Sequence, residues 1–209
     1  MRRLLPVVIP AVLATAFLMV PSRAPGYTSP PLQSREQLYS MYHRQLYEYP
    51  IDIREQIFYL EEALRADFNN PLWAIARIET REEHARYRAL FTMHIHLRLI
   101  DLYLAWAGRY YKFEAYYYNY PWRELNIESL DIAEEILIYA RDVYWPEAVR
   151  YSEEAESMGY IDLEEIQYWS DESRRIATGD LDYGRIISNH LSRLRRVRAE
   201  FEAMDPSMF

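Results

Sequence analysis

A chain of 209 residues, half of them apolar, is long enough to bury one sizeable core, as a single domain or a domain with an appendage. It has no cysteine, which excludes disulfides and thiolate metal sites, and its five glycines argue against a Gly-rich phosphate loop. A formal net charge of −8 argues against non-specific nucleic-acid binding, so no nucleic-acid partner is expected.

Met1-Arg2-Arg3 followed by the apolar run Leu4 to Val20 has the pattern of a secretory signal, with the arginines held inside. Ser22-Arg23-Ala24 offers small residues for cleavage, but Pro25 would follow the cut. Residues 1–24 are therefore read as a signal peptide or an uncleaved membrane anchor. Either leaves the body outside the cytoplasm, in the periplasm or an equivalent compartment, tied to the inner membrane if uncleaved. Residues 25–33 are a Pro-rich linker, and residues 34–205 form a single helical domain.

Ser34-Arg35-Glu36-Gln37 is a capping box, and the helix it opens should stop before Pro50. Asp52 opens a second helix with Ile53, Ile57, Leu60, Leu64 and Phe68 along one face. It ends at Asn69-Asn70-Pro71, where Asn70 caps and Pro71 takes the first position of the next turn. A short apolar helix is expected over Leu72 to Ile78.

A second capping box, Thr80-Arg81-Glu82-Glu83, starts the central helix. Phe91, Ile95, Leu99, Leu102 and Trp106 mark one face, and Leu90, Met93, Leu97 and Leu104 widen it over most of the circumference. A helix that apolar must be covered on more than one side. Its pattern fades between Gly108 and Tyr118, in a run crowded with Tyr and Trp and closed by Pro121. A further helix is expected over Trp122 to Tyr144, and Pro146 starts another that ends near Gly159. Asp162 caps a helix through Ala177, stopped by Gly179, and the last helix spans Asp182 to Met204. No stretch of length alternates with period two, so the fold class is all-α.

Tyr59-Leu60-Glu61-Glu62-Ala63-Leu64-Arg65-Ala66-Asp67-Phe68-Asn69-Asn70 resembles the second helix and exit turn of a tetratricopeptide repeat (TPR). Ala63 stands at the small helix-contact position, while Phe68 replaces the usual proline. Gly108-Arg109-Tyr110 looks like an inter-helix turn of the same repeat, but the 34-residue period is not kept. The resemblance implies TPR-like helical hairpins packed around the long helix. With Asn119-Tyr120-Pro121-Trp122, the chain also looks like small periplasmic helical proteins of spirochaetes. Some of those belong to the collar of the periplasmic flagellar motor.

Candidate sites are few. His94 and His96, two apart on a helix, point about 200° from each other and cannot share an ion unaided. His94 is read as a hydrogen-bonded core or interface histidine. The doublets Glu61-Glu62, Glu134-Glu135, Glu153-Glu154 and Glu164-Glu165 are read as solvated faces, since helix neighbours diverge. No nucleophile elbow or Walker loop is present, so no catalytic residue, metal or cofactor is assigned.

The aromatic elbow is either a wedge for the long helix or a recognition surface. Its candidates are Tyr110, Tyr111, Tyr117, Tyr118, Tyr120 and Trp122, with Arg109 and Arg123. They suit a protein partner, a second copy of the chain, or a glycan such as a peptidoglycan strand or another small ligand. Arg193 and Arg196 of the last helix offer a second docking face. The alternative for that helix is ordinary pairing with the acidic segment between Glu124 and Glu172. The expectation is a non-enzymatic scaffold or adaptor in a cell-envelope assembly.

Overall fold

The computed structural model describes residues 34–111, 122–159 and 161–205. Within them the chain is all-helical: α1 (Arg35–Glu48), α2 (Ile53–Arg65), α3 (Arg81–Ala107), α4 (Arg123–Tyr139), α5 (Trp145–Ser157), α6 (Gln167–Ala177) and α7 (Tyr183–Glu202). None of these helices is long and apolar enough to cross a membrane. The apolar run Leu4 to Val20 lies outside the described residues.

Local chemistry sets most of the boundaries. Both capping boxes close: Ser34 Oγ accepts from Gln37 N–H, Thr80 Oγ1 from Glu83 N–H, and each Gln or Glu side chain returns the bond. Asp52 and Asp182 cap α2 and α7 in the same way. Gly159 and Gly179 follow α5 and α6 with φ of 74° and 77°, a left-handed backbone that costs glycine nothing.

Four boundaries differ from expectation. α2 stops at Arg65, where Ala66 turns extended, short of Phe68 and Asn69. Instead of a helix over Leu72 to Ile78, only Pro71–Trp73 form a single 3₁₀ turn, capped by Asn70. Leu72 and Trp73 then stand in solvent, so no buried face rewards a longer helix there. Nor does Pro146 begin a separate helix. A π-turn, Ala140–Tyr144, joins α4 to α5, and its wider loop brings Trp145 N–H to the Ala140 carbonyl. The widened turn accommodates a ring that would otherwise press on the carbonyl four residues back. Asp162 does not cap either: a 3₁₀ turn, Glu164–Ile166, precedes α6, and neither helix start has a side-chain cap.

At 27 residues α3 is about 40 Å long and runs through the centre, touching α2, α4, α5 and α6. Leu90, Phe91, Met93, Ile95, Leu97, Leu99 and Ile100 have no accessible surface, which accounts for a helix apolar nearly all round. Trp106, at its exit, is only half-buried, with the Arg54 guanidinium 5.4 Å from its ring. α1 and α2 form an antiparallel hairpin against one side of α3, with Ala63 fully buried. α7 packs mainly on α4 along Ile187, Leu191, Leu194, Val197 and Phe201. At the centre, Phe91 stacks on Trp169 with ring centroids 4.8 Å apart, and Tyr39 meets both rings edge-on.

Candidate functional site

The turn between α1 and α2 carries large apolar side chains in water. Tyr47 is 83% exposed, Ile51 80% and Tyr49 58%, and Glu48 to Asp52 border an apolar hollow of about 440 Å³. Such side chains usually fold back onto a core. Here the backbone holds them out. Tyr49 N–H donates to the Gln45 carbonyl, Asp52 N–H to the Tyr49 carbonyl, and the buried Gln56 amide to that same carbonyl at 3.2 Å. The turn is fixed in place before anything binds it.

The segment that leaves α3 lies beside this turn. Arg109, itself exposed, donates through Nη2 to the Ile51 carbonyl. Tyr110 is half-buried against the core. Tyr111 is buried, with its hydroxyl 2.9 Å from His190 Nδ1 on α7. Burial raises the Tyr111 phenol, and burial followed by the Arg193 charge lowers His190, so the ring is neutral near pH 7. Ile186, Asn189, His190 and Arg193 line a shallow groove there. The exit of α3 thus joins the exposed turn on one side to α7 on the other.

The remaining sequence candidates divide. Trp122 is half-exposed at the start of α4. Arg123 is spent on α7, donating through Nε to the Phe201 carbonyl at 2.8 Å and pairing with Glu124. A cation there also suits the negative end of that helix. Arg193 and Arg196 lie on the exposed side of α7, whereas Arg195 and Arg198 pair with Glu134 and Asp131 of α4 at 2.7 and 2.9 Å. The pairing with the acidic segment is therefore real for Arg195 and Arg198. Tyr117, Tyr118 and Tyr120 lie outside the described residues.

A second arrangement is buried. His94 Nδ1 is 2.6 Å from Glu172 Oε2, and Tyr39 Oη is 2.7 Å from His94 Nε2. Burial outweighs the nearby carboxylate and lowers His94, so the neutral ring donates to Glu172 and accepts from Tyr39. Arg98 donates to the other Glu172 oxygen at 2.7 Å and reaches Asp101, which accepts from Tyr183. Base, orienting carboxylate and hydroxyl stand in the order of an acid–base relay. Yet Tyr39 and His94 are both sealed in the core, with Tyr168 and Trp169 packed against His94. The relay ties α1, α3, α6 and α7 together. His96 points the other way, with Nδ1 2.7 Å from the Thr92 carbonyl and its ring stacked on Tyr151. Among the described residues no three His, Asp or Glu side chains converge as a metal site.

Two features escaped the sequence reading. The α1–α2 turn offered a signal in Tyr-x-Tyr-Pro-Ile, an apolar run where a polar turn is usual. The carboxylate doublets did not: Glu61 turns inward to accept from the Tyr103 and Tyr144 hydroxyls at 3.0 and 2.6 Å, and Glu134 meets Arg195.

A family model described as a domain of unknown function (DUF8513) matches residues 82–204, from the first turn of α3 to just past α7. No curated protein and no solved structure matches the chain.

Proposed function

We propose that this chain, which belongs to the DUF8513 family, is a non-enzymatic helical adaptor that works through protein–protein contacts in a cell-envelope assembly. The observation that carries this reading is the braced α1–α2 turn. Rigid rings and a branched aliphatic side chain held in solvent are what binding hot spots use, and Arg109 lies against them. The finer reading is that α1 and α2 form a TPR-like hairpin, supported by fully buried Ala63 at the small contact position. Such hairpins offer edges and concave faces to partner helices. The apolar Leu4 to Val20 segment supports export, with the body in the periplasm and the segment as signal or anchor. The periplasmic flagellar motor collar is the assembly to test first.

A photo-crosslinking residue placed at Ile51 in intact cells, with exposed Arg175 of α6 as the control position, tests the reading. We expect a discrete, stoichiometric protein adduct from position 51 and none from position 175. Ile51→Ser should abolish the partner's recovery while shifting stability by no more than about 0.5 kcal/mol. No adduct at 51, with the purified chain strictly monomeric, would end the proposal.

A second reading, a glycan site, is favoured by the half-exposed Trp122 indole. Titration with peptidoglycan fragments should then change tryptophan fluorescence in the wild type and not in Trp122→Phe.

A further inference from the structure

A cleft of about 260 Å³ opens between the start of α1, the exit of α2, and the facing sides of α3 and α5. It lies apart from the α1–α2 turn, and a ligand bound in it would be independent of the adaptor reading. Ala85 and Ala89, one turn apart on α3, leave the space that larger side chains would fill.

Two guanidiniums border the cleft and share one ring. The Arg35 and Arg88 groups lie 4.2 and 5.0 Å from the Phe68 centroid. Half-buried Arg35 donates to Thr92 Oγ1 at 2.5 Å and to the Leu64 and Ala66 carbonyls at 3.0 and 3.2 Å. Its Nε is buried without a partner among the described residues. No carboxylate of the described residues forms an ion pair with either arginine, whereas Arg44, Arg65, Arg98, Arg150 and Arg198 are all paired. Burial holds Arg35 below its ordinary range, and the like charge of Arg88 adds to it, while Tyr151, Glu36 and Asp67 act the other way.

A half-buried Arg35 and an exposed Arg88 over one ring, neither ion-paired among the described residues, favour an anion that joins them. The opposite wall, α5, supplies Tyr151 and Glu154. Glu154 reaches Arg150 only at 4.0 Å, so its carboxylate is loosely held. A phosphate dianion would meet that carboxylate, whereas a ligand carrying both charges would satisfy each wall. The volume falls below the roughly 300–1,000 Å³ of drug-sized sites.

We propose that this cleft binds a small amino-acid-like zwitterion, its carboxylate between Arg35 and Arg88 and its ammonium toward Glu154. Arg88 provides the free donors, since its guanidinium makes no hydrogen bond to the described residues. Arg35 supplies fixed charge, and Phe68 is the flat wall behind both.

Calorimetric titration of the full chain with alanine, propionate and inorganic phosphate tests the assignment. Alanine should bind, propionate more weakly, and phosphate most weakly. Arg88→Gln, an exposed position whose fold is checked by circular dichroism, should weaken alanine and propionate about tenfold or more. Glu154→Gln should weaken alanine, leave propionate unchanged or improved, and strengthen phosphate. The proposal is overturned if no probe binds the folded wild type, if Arg88→Gln binds alanine as well as the wild type does, or if phosphate binds as tightly as alanine.

Discussion

The α1–α2 hairpin and the α4–α7 pair are attached to the molecule by opposite means. Polar side chains reach from the hairpin into α3 and beyond: Arg35 to Thr92, Tyr39 to His94, and Glu61 to both Tyr103 and Tyr144. Tyr87, fully buried on α3, donates back to Glu36 at 3.2 Å. Between α4 and α7 the interior is an apolar seam, flanked by the Arg195–Glu134 and Arg198–Asp131 pairs and by the Arg123 bond to the Phe201 carbonyl. Buried polar links specify one orientation, because a shifted helix would leave several groups unsatisfied. An apolar seam with a salted rim tolerates small slides. The hairpin that presents the exposed turn is thus the part whose position is most strictly set. It also lies outside the stretch that the family model covers.

The comparison can be broken most severely where hairpin and body share a ring. Trp169→Ala removes the surface against which Tyr39, Phe91 and His94 pack. We expect a loss of about 4 kcal/mol in urea unfolding, with less of the native near-ultraviolet signal remaining. A next-smaller effect separates the two modes of attachment. Glu61→Ala strands two buried phenols and should cost about 2 kcal/mol, whereas Arg195→Ala, at an exposed arginine whose partner Glu134 keeps Arg198 within reach, should stay within about 0.5 kcal/mol. Equal losses from the two variants would remove the distinction.

Acid gives the mildest test. His43, His84, His94, His96 and His190 are all lowered, in each case chiefly by burial. Each therefore takes up its proton at lower pH folded than unfolded. The unfolded chain holds more protons once pH falls below about 6.5, and stability declines from there toward the folded values. Melting temperatures at pH 7.5, 6.0 and 5.0 should fall in that order. His94→Gln should flatten part of the slope, and a Tm independent of pH over this range would contradict the assignment of neutral buried rings.

Much of the architecture was legible because it rests on neighbours in sequence. Ser34 with Gln37 and Thr80 with Glu83 are bonds across one turn, and Gly159 and Gly179 stop helices by their own backbone freedom. The encircling apolar pattern of α3 required a covered helix, and Phe91, Ile95 and Leu99 are fully buried. The break at Pro146 was misread because a proline excludes the narrow turn yet not the wide one. Whether a chain bends or widens there depends on what packs outside it. Tyr144 on the widened turn is held by Glu61, which lies 83 residues away.

For the candidate surfaces the division is sharper. Arg109 and Tyr111 could be singled out by type. Their directions, one toward Ile51 and the other toward His190, follow from helices distant in sequence. Arg193 and Arg198 look alike in the chain, and only the placement of α4 pairs one with Asp131 and leaves the other beside the groove at His190. By itself the sequence determined the helices, their caps and stops, and which long helix had to be enclosed, since these depend on propensity and spacing within a few residues. Tertiary structure alone decided which carboxylates turned inward and which tyrosines stayed in water. It also decided that Arg35 and Arg88 would meet over one phenylalanine, because long-range packing assigns each polar group its partner or leaves it without one.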